Sequence, residues 1–299
     1  MARITLLDGG MGQELLARTG DTPTPLWATQ VMIDHPDLVR DIHIDYFAAG
    51  ATVATTNTYA IHHDRLIRDG KDHLFLTLLR KAAVQAVAAR NSRGRGGRIA
   101  GSLGPLVASY RPDLCPPVRE AAAKYTEIVR VLAPHVDLFL CETMLSVQQV
   151  EGALEGAAPS GLPVWISVTV DDRDGSRLRS GEPISALAPL FARRRPAAVL
   201  ANCSVPEAMA AALSEIAKFH VPYGAYANGF THIADAFLTD APTVDDLTAR
   251  HDLTPDRYAA FAMDWVAQGA TIVGGCCEVG PAHIAALAKS LRAAGHKIV

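Results

Sequence analysis

The stretch TIVGGCC, Thr271 to Cys277, joins a short β-type apolar run to two glycines and two adjacent cysteines. Seven similar runs precede it, separated by stretches with apolar residues three and four positions apart. That spacing indicates amphipathic helices, so strands and helices alternate along the whole chain. The predicted strands are ITLLDGG (from Ile4), TVATTNTY (from Thr52), IAGSLGP (from Ile99), VDLFLCET (from Val136), PVWISVTV (from Pro163), AAVLANCS (from Ala197), YGAYANG (from Tyr223) and TIVGGCC (from Thr271).

Eight strands alternating with helices in 299 residues are typical of a (β/α)8 TIM barrel. A doubly wound open sheet is the alternative, since periodicity alone does not show closure. The DGGMGQE segment after the first strand, however, lacks the glycine spacing of a dinucleotide-binding turn. We therefore predict an α/β protein with a single (β/α)8 barrel domain over residues 1–299. Residues 230–257 exceed an ordinary βα loop, and we expect an extended loop after strand seven that forms a lid or an extra helix.

Composition narrows the class of protein without identifying it. The net charge of −3 argues against a nucleic-acid partner. The start, MARITLLDGG, lacks the pattern of a signal peptide, and no apolar run approaches the roughly 18 residues of a membrane span. Five cysteines in a chain without a leader suit a reducing compartment. We expect a cytoplasmic protein with no membrane partner, as a monomer or homodimer.

Unusual polar residues follow most of the predicted strands. In a TIM barrel the carboxyl ends of the strands carry the chemistry, so these side chains are the candidate site. They are Asp8 after strand one, Asn57 and Tyr59 after strand two, Glu142 after strand four, Asn202 and Cys203 after strand six, Asn228 after strand seven, and Cys276 and Cys277 after strand eight.

Barrel closure places Cys203 near the Cys276–Cys277 pair, because only strand seven separates strands six and eight. Three thiolates with an open fourth position form a catalytic type of zinc site, which would accept and ionise a substrate thiol. Neighbouring strand residues point to opposite faces, so both cysteines face inward only where the strand breaks. We expect Gly274–Gly275 to supply that backbone freedom.

Other readings of the five cysteines stay open at this point. The adjacent pair could form a vicinal disulfide, or be two thiols without a role. Cys141 lies inside an apolar strand and is expected to be a buried small hydrophobe. Cys115, in the loop RPDLCPP, is expected to be a free thiol without a function.

Taken together, the motifs LDGG, TNTY, GSLGP, CET, NCS·PE and GGCC resemble the homocysteine S-methyltransferase family from the first strand to the last. The resemblance implies zinc on Cys203, Cys276 and Cys277, with the sulfur of L-homocysteine as the fourth ligand. It also implies that Asp8 and Glu142 bind the ammonium group of the amino acid. The backbone amides of Gly9 and Gly10 suit its carboxylate, because such N–H groups favour anions.

The sequence indicates the methyl donor less clearly than the methyl acceptor. Trp27 and Tyr59 could face an onium group, since aromatic rings attract cations. The chain lacks the folate and cobalamin modules of large methionine synthases and the long C-terminal arm of the betaine-dependent enzyme. It therefore resembles the small enzymes that use S-methylmethionine, with S-adenosylmethionine as a second possibility. Asn202 either supports the metal loop or caps the following helix.

Four alternatives compete with this prediction. The enzyme could use betaine or dimethylsulfoniopropionate. The chain could activate homocysteine for a corrinoid protein on a separate chain. It could be a zinc-binding or redox-sensing protein in which Cys276 and Cys277 form a disulfide under mild oxidation. Asp8 and Glu142 could also be the acid and base of a glycosidase, although that would leave the cysteines unexplained.

Overall fold

The structure is a computed structural model that describes residues 1–21, 24–26, 28–94, 96–233, 238 and 247–299. Its strands run parallel in the order β2-β3-β4-β5-β6-β7-β8-β1-β9. They are β1 (Arg3–Leu6), β2 (Val53–Thr55), β3 (Arg98–Leu103), β4 (Leu138–Met144), β5 (Val164–Val168), β6 (Ala198–Asn202), β7 (Tyr223–Tyr226), β8 (Ile272–Val273) and β9 (Lys297–Ile298).

The first eight strands close on themselves. A parallel bridge between Leu7 and Val53 joins the end of β1 to β2, and the amide of Asp8 donates to the Val53 carbonyl at 3.1 Å. This closure confirms the predicted TIM barrel over the open sheet. The sequence prediction missed β9, a two-residue strand that pairs with Arg3 and Ile4 of β1 outside the barrel.

The helices surround the barrel and follow the predicted periodic stretches. They are α1 (Met11–Thr19), α2 (Ala28–Asp34), α3 (Pro36–Ala49), α4 (His63–Arg68), α5 (Phe75–Ser92), α6 (Val118–Leu132), α7 (Val147–Ala157), α8 (Ala188–Arg193), α9 (Met209–Ile216), α10 (Pro255–Ala267) and α11 (Pro281–Ala293). Proline opens α3 and α10 at a position where a missing N–H costs nothing. The Thr254 hydroxyl caps α10 by accepting from the amide of Arg257.

Side chains from all eight barrel strands fill its interior. Trp165, Leu138 and Leu200 are among the largest of these buried residues, and Leu7 and Ile272 come from the two strands at the seam. A packed interior leaves no channel through the barrel, so a ligand can reach the strand ends only from the βα-loop side. A second, larger apolar cluster lies between the strands and the helices.

The loop after β7 is long, as predicted, and its described parts lie beside the predicted site. Phe230 forms an antiparallel bridge with Ala249, and Ile233, Leu238 and Leu247 pack against a cluster that contains Cys203. Residues 255–257 of the predicted lid begin α10. Residues 234–237 and 239–246 lie outside the described residues. Among the helices that are described, none is both long enough and apolar enough to span a bilayer.

The contact between β8 and β1 at the seam leads to a stability prediction. A Cβ on Gly274 would lie 2.5 Å from the Cβ of Leu7, whereas a Cβ on Gly96 would meet nothing within 4 Å. We expect Gly274→Ala to lower the free energy of unfolding by about 1–3 kcal/mol, because the seam must shift to admit the methyl group. Urea unfolding would measure this, with Gly96→Ala as the matched control. Equal stability of the two variants would contradict a tightly packed seam.

Candidate active site

One pocket at the carboxyl end of the barrel brings most of the predicted site residues together. The end of β4 and the loops after β1, β2, β3, β6, β7 and β8 form its walls, and helix α2 closes one side. Its lining includes Asp8, Gly9, Gly10, Asn57, Tyr59, Glu142, Cys203, Cys276 and Cys277, together with Met11, Gln13, Thr24, Thr29, Thr55, Tyr110, Thr143, Tyr226, Phe230 and Leu247.

The three predicted cysteine ligands form a single cluster. Their sulfur atoms lie within 4.8 Å of one another. In this structure Cys203 and Cys276 are joined by a disulfide bond, with their Cα atoms 5.8 Å apart, and Cys277 is free. The vicinal Cys276–Cys277 bond considered from the sequence is therefore not the pairing seen here.

This cluster fits a zinc ion once the disulfide is reduced. Ligands of a tetrahedral zinc at Zn–S distances of about 2.3 Å are about 3.8 Å from each other, and the three sulfur atoms already lie within 4.8 Å. Three thiolates are a soft donor set that selects zinc over magnesium or calcium. Reduction frees the sulfurs of Cys203 and Cys276, and each can then move onto a shared ion.

The two glycines before the cysteines act differently from the prediction. Strand β8 ends at Val273, so the cysteines do follow a break in the strand. Neither Gly274 nor Gly275 has a positive φ, however. A Cβ on Gly275 would lie 2.1 Å from the Val279 side chain. These glycines are needed for close packing, and the expected conformational freedom is not used.

Asn202 fixes the backbone on both sides of the pocket. Its Oδ1 accepts from the amide of Thr143 at 2.9 Å and from the Ser167 hydroxyl at 2.8 Å, and its Nδ2 donates to the Thr143 hydroxyl. Thr143 (φ 61°) and Cys203 (φ 50°) both have left-handed backbone conformations, which are costly for such residues. Asn202 thus supports the loops that carry Glu142 and Cys203, and it does not cap the following helix.

The backbone of Cys203 is held from two further elements. Its carbonyl accepts from the Tyr110 hydroxyl and from the Thr169 hydroxyl, each at 3.2 Å. The guanidinium of Arg179 lies over the Tyr110 ring at 5.0 Å. These contacts fix the direction in which the Cys203 side chain leaves the backbone, toward Cys276 and Cys277.

Asp8 is buried at 5% exposure and is gripped by a single threonine. Thr55 donates its amide to Oδ2 at 2.7 Å and its hydroxyl to Oδ1 at 2.9 Å. Burial outweighs these bonds and raises the pKa of Asp8 to about 7, and the negative charge of Glu142 adds to the rise.

Glu142 is the second buried carboxyl group of the pocket. It accepts a short hydrogen bond from the Ser102 hydroxyl and another from the Tyr226 hydroxyl at 3.3 Å. Burial raises the pKa of Glu142 to about 7 despite these donors. A cation beside these two carboxyl groups would therefore bind favourably, because its positive charge would stabilise their ionised form.

The expected role of the Gly10 amide needs a correction. The Gly10 amide already donates to the Val279 carbonyl at 3.0 Å, so it is not available to a substrate carboxylate in this conformation. The two glycines instead allow close approach, since a Cβ on Gly9 would lie 2.0 Å from the Val279 oxygen and one on Gly10 2.7 Å from the Cys276 oxygen. Helix α1 begins at Met11, directly after this loop, and the amides of its first turn have no intrahelical acceptor.

Of the remaining predicted site residues, some line the pocket and one shapes a neighbouring loop. Asn57 lines the pocket while its Nδ2 donates to the Ala28 carbonyl at 3.1 Å. Tyr59 also lines it, and its hydroxyl forms a hydrogen bond with Ser109 at 2.8 Å. The Asn228 side chain accepts from the amide of Phe230 and shapes the loop after β7. Trp27 lies outside the described residues.

Two further cysteines stay apart from the cluster, as expected. Cys141 is fully buried in β4, where burial raises the pKa of its thiol. Cys115 is half-buried in its loop, and burial raises its pKa to about 11. Neither thiol has the low pKa of a reactive cysteine.

The lining of the pocket contains acidic side chains without basic ones among the described residues. Asp8, Glu142 and the cysteine sulfurs supply acidic groups, and the described residues that line the pocket include no lysine, arginine or histidine. The rest of the wall is apolar, aromatic or neutral. Such a pocket attracts cations and repels ligands with a net negative charge.

Comparisons with known proteins agree with this geometry. The homocysteine S-methyltransferase family profile matches residues 5–291. The chain is 32% identical to homocysteine S-methyltransferase of Escherichia coli K12 across 95% of this chain and 94% of that one. It is 28% identical to homocysteine S-methyltransferase 4 of Zea mays, over 97% and 90% of the two chains.

The chain belongs to the homocysteine S-methyltransferase family. It is a methyltransferase, and the resemblance drawn from its motifs is confirmed. Solved structures agree: the metallated form of the E. coli homocysteine methyltransferase MmuM superposes with a TM-score of 0.80 at 28% identity, covering 96% of each chain. The oxidized form of the same enzyme also gives 0.80, at 29% identity and the same coverage.

The sequence analysis did not identify the residues that hold the two carboxyl groups of the pocket in place. Thr55 holds Asp8, while Ser102 and Tyr226 hold Glu142. All three lie in or beside predicted strand ends, so the strand-end rule that found Asp8 could have included them. Tyr110 carried no such signal, because it lies in a long loop after β3 and its contact with Cys203 depends on the fold.

The raised carboxyl pKa values predict how stability depends on pH. In the unfolded chain these groups titrate near pH 4, and in the folded protein near 7. Between these values the folded state binds more protons, so the free energy of unfolding should fall as pH rises from about 4 to about 7 and then level off. Glu142→Gln removes one of the two groups, so its curve should slope less.

Urea unfolding of the reduced, zinc-free protein at several pH values would measure both slopes. The comparison with Glu142→Gln removes the contribution of groups that titrate elsewhere in the molecule. Identical slopes for the two proteins would show that Glu142 ionises normally in the folded state.

Proposed function

We propose that this protein transfers a methyl group from a sulfonium donor to the thiol of L-homocysteine in a zinc-dependent reaction that yields methionine. S-methylmethionine is the proposed donor, and S-adenosylmethionine is the alternative. The single observation that supports this most strongly is the cluster of three cysteine sulfurs beside two buried carboxyl groups, in one pocket of a member of this family.

Cys203, Cys276 and Cys277 would hold the zinc ion in the reduced protein. When bound, zinc would take the substrate thiol as its fourth ligand and keep it ionised. The E. coli relative has been solved in a metallated form, which supports a metal on the corresponding cluster. Cys203 is buried, at 5% exposure, which keeps this ligand sulfur away from bulk water.

Asp8 and Glu142 would bind the ammonium group of homocysteine. Each carboxyl group is fixed by hydroxyl donors, so its free lone pairs have a defined direction. The ammonium group would lower both pKa values and hold the carboxylates ionised at neutral pH. The backbone amides in the first turn of α1 would bind the substrate carboxylate, because the N-terminus of a helix favours anions.

The acidic lining of the pocket supports a donor that carries a positive charge. A sulfonium is attracted to the acidic lining and to the rings of Tyr226 and Phe230. The substrate sulfur attacks the methyl carbon, the bond from that carbon to the donor sulfur breaks, and its electron pair stays on the donor sulfur. A thiolate and a sulfonium thus become two neutral thioethers, a loss of charge that an apolar, water-poor site favours.

An assay of zinc-loaded, reduced protein with homocysteine and single donors tests this proposal. We expect methionine from S-methylmethionine, a lower rate from S-adenosylmethionine, and none from methyltetrahydrofolate, because its carboxylates oppose the acidic lining. If methionine forms only with betaine or only with dimethylsulfoniopropionate, that compound is the donor and the proposal of a sulfonium amino acid is wrong. Homocysteine binding without turnover with any small donor would favour a corrinoid-coupled role.

Substitution of the cysteines tests the metal. Cys203→Ser, Cys276→Ser and Cys277→Ser should each lose zinc and activity together, because a hydroxyl is a far poorer zinc ligand than a thiolate. Zinc content would be measured by atomic absorption and turnover by methionine formation. Cys115→Ser is the matched control and should retain both. Normal turnover in a zinc-free variant would overturn the mechanism.

A further inference from the structure

His43 is a buried histidine without a hydrogen-bond partner. It lies on α3 with no exposed surface, and neither ring nitrogen has a hydrogen-bond partner among the described residues. Burial lowers its pKa to about 4, so the ring is neutral and carries one N–H. A buried N–H without an acceptor is unfavourable and uncommon in folded proteins.

The side chain of His43 points at the acid that we propose binds the substrate ammonium. Its Nδ1 lies 4.0 Å from Oδ2 of Asp8. That is about 1 Å beyond hydrogen-bond distance, a gap that a small rotation of either side chain closes. The Asp8 carboxyl group already accepts two hydrogen bonds from Thr55, one at each oxygen, and a carboxylate oxygen has room for a second donor.

Helix α3 is anchored to the same loop one turn further on. The Tyr46 hydroxyl lies 3.0 Å from the Gly10 carbonyl and 3.2 Å from the Val279 carbonyl. His43 and Tyr46 are three residues apart and therefore share one face of the helix. The helix thus holds the position of His43 relative to Asp8.

We propose that His43 is a positioning residue for ammonium recognition: its Nδ1–H donates to Oδ2 of Asp8 when substrate binds, and aims the carboxylate at the substrate ammonium. This proposal rests on the proposed function, because it assigns the ammonium to homocysteine. His43 does not touch the reacting atoms. Its effect should appear in the binding of ligands that carry an amino group, and not in the methyl-transfer step.

Two ligands separate this role from a structural one. Homocysteine carries the ammonium group, and 4-mercaptobutyrate is the same molecule without it. In the zinc-loaded enzyme, His43→Leu should raise the KM for homocysteine about ten-fold, which corresponds to about 1.4 kcal/mol, and leave kcat unchanged. The inhibition constant of 4-mercaptobutyrate and the zinc content should stay at the wild-type values.

His43→Asn should restore the KM, because its amide nitrogen occupies the position of Nδ1, whereas His43→Gln places its nitrogen at the position of Nε2 and should not. This pair keeps the test valid if the leucine variant fails to fold. Equal weakening of both thiols, an unchanged homocysteine KM, or equal behaviour of the asparagine and glutamine variants would overturn the proposal. Failure of the wild-type enzyme to use homocysteine would refute the proposed function instead.

Discussion

The site depends on the contact between the loop after β1 and the loop after β8 at the barrel seam. The Gly275 amide donates to the Asp8 carbonyl at 2.9 Å, and the Gly10 amide donates to the Val279 carbonyl at 3.0 Å. These two bonds join the loop that carries Asp8, the proposed ammonium-binding acid, to the loop that carries two of the three sulfurs. Glycine is required here because larger residues would push the loops apart. Backbone contacts thereby fix the position of the Asp8 carboxyl group relative to Cys276 and Cys277.

A second constraint acts across the pocket. Left-handed conformations at Thr143 and Cys203 each cost on the order of 1–3 kcal/mol and persist only where the surroundings enforce them. Asn202, which has no exposed surface, makes three hydrogen bonds to Thr143 and Ser167. The strain is located at the two points where the chain must turn a carboxylate and a sulfur into the same pocket. Rigid support of this kind is what a site needs when the reacting atoms must be aligned.

Much of this arrangement could be predicted from the sequence, because the carboxyl ends of parallel strands meet at one face. That rule placed Asp8, Glu142 and the cysteines together without knowledge of any distance. It could not foresee which sulfurs pair in the disulfide, because Cys203–Cys276 and Cys276–Cys277 are both compatible with strand order. It also misjudged the Gly10 amide and the glycines before Cys276, whose roles follow from tight packing against Val279 and Leu7. Such contacts depend on loop geometry, which a periodic pattern does not encode.

The acidic lining of the pocket gives one physical reason for the proposed metal, substrate and donor. Three thiolates and two carboxylates would place five negative charges in a largely apolar cavity, and the described residues lining it offer no cationic side chain to balance them. Such a concentration of like charge is unstable unless groups are protonated, bonded to each other or paired with cations. The Cys203–Cys276 bond is the second of these, and burial favours the first by raising the pKa of Asp8 and of Glu142 to about 7. Zinc, an ammonium group and a sulfonium would supply the third, so the acidity of the lining favours the three cations that the proposed reaction requires.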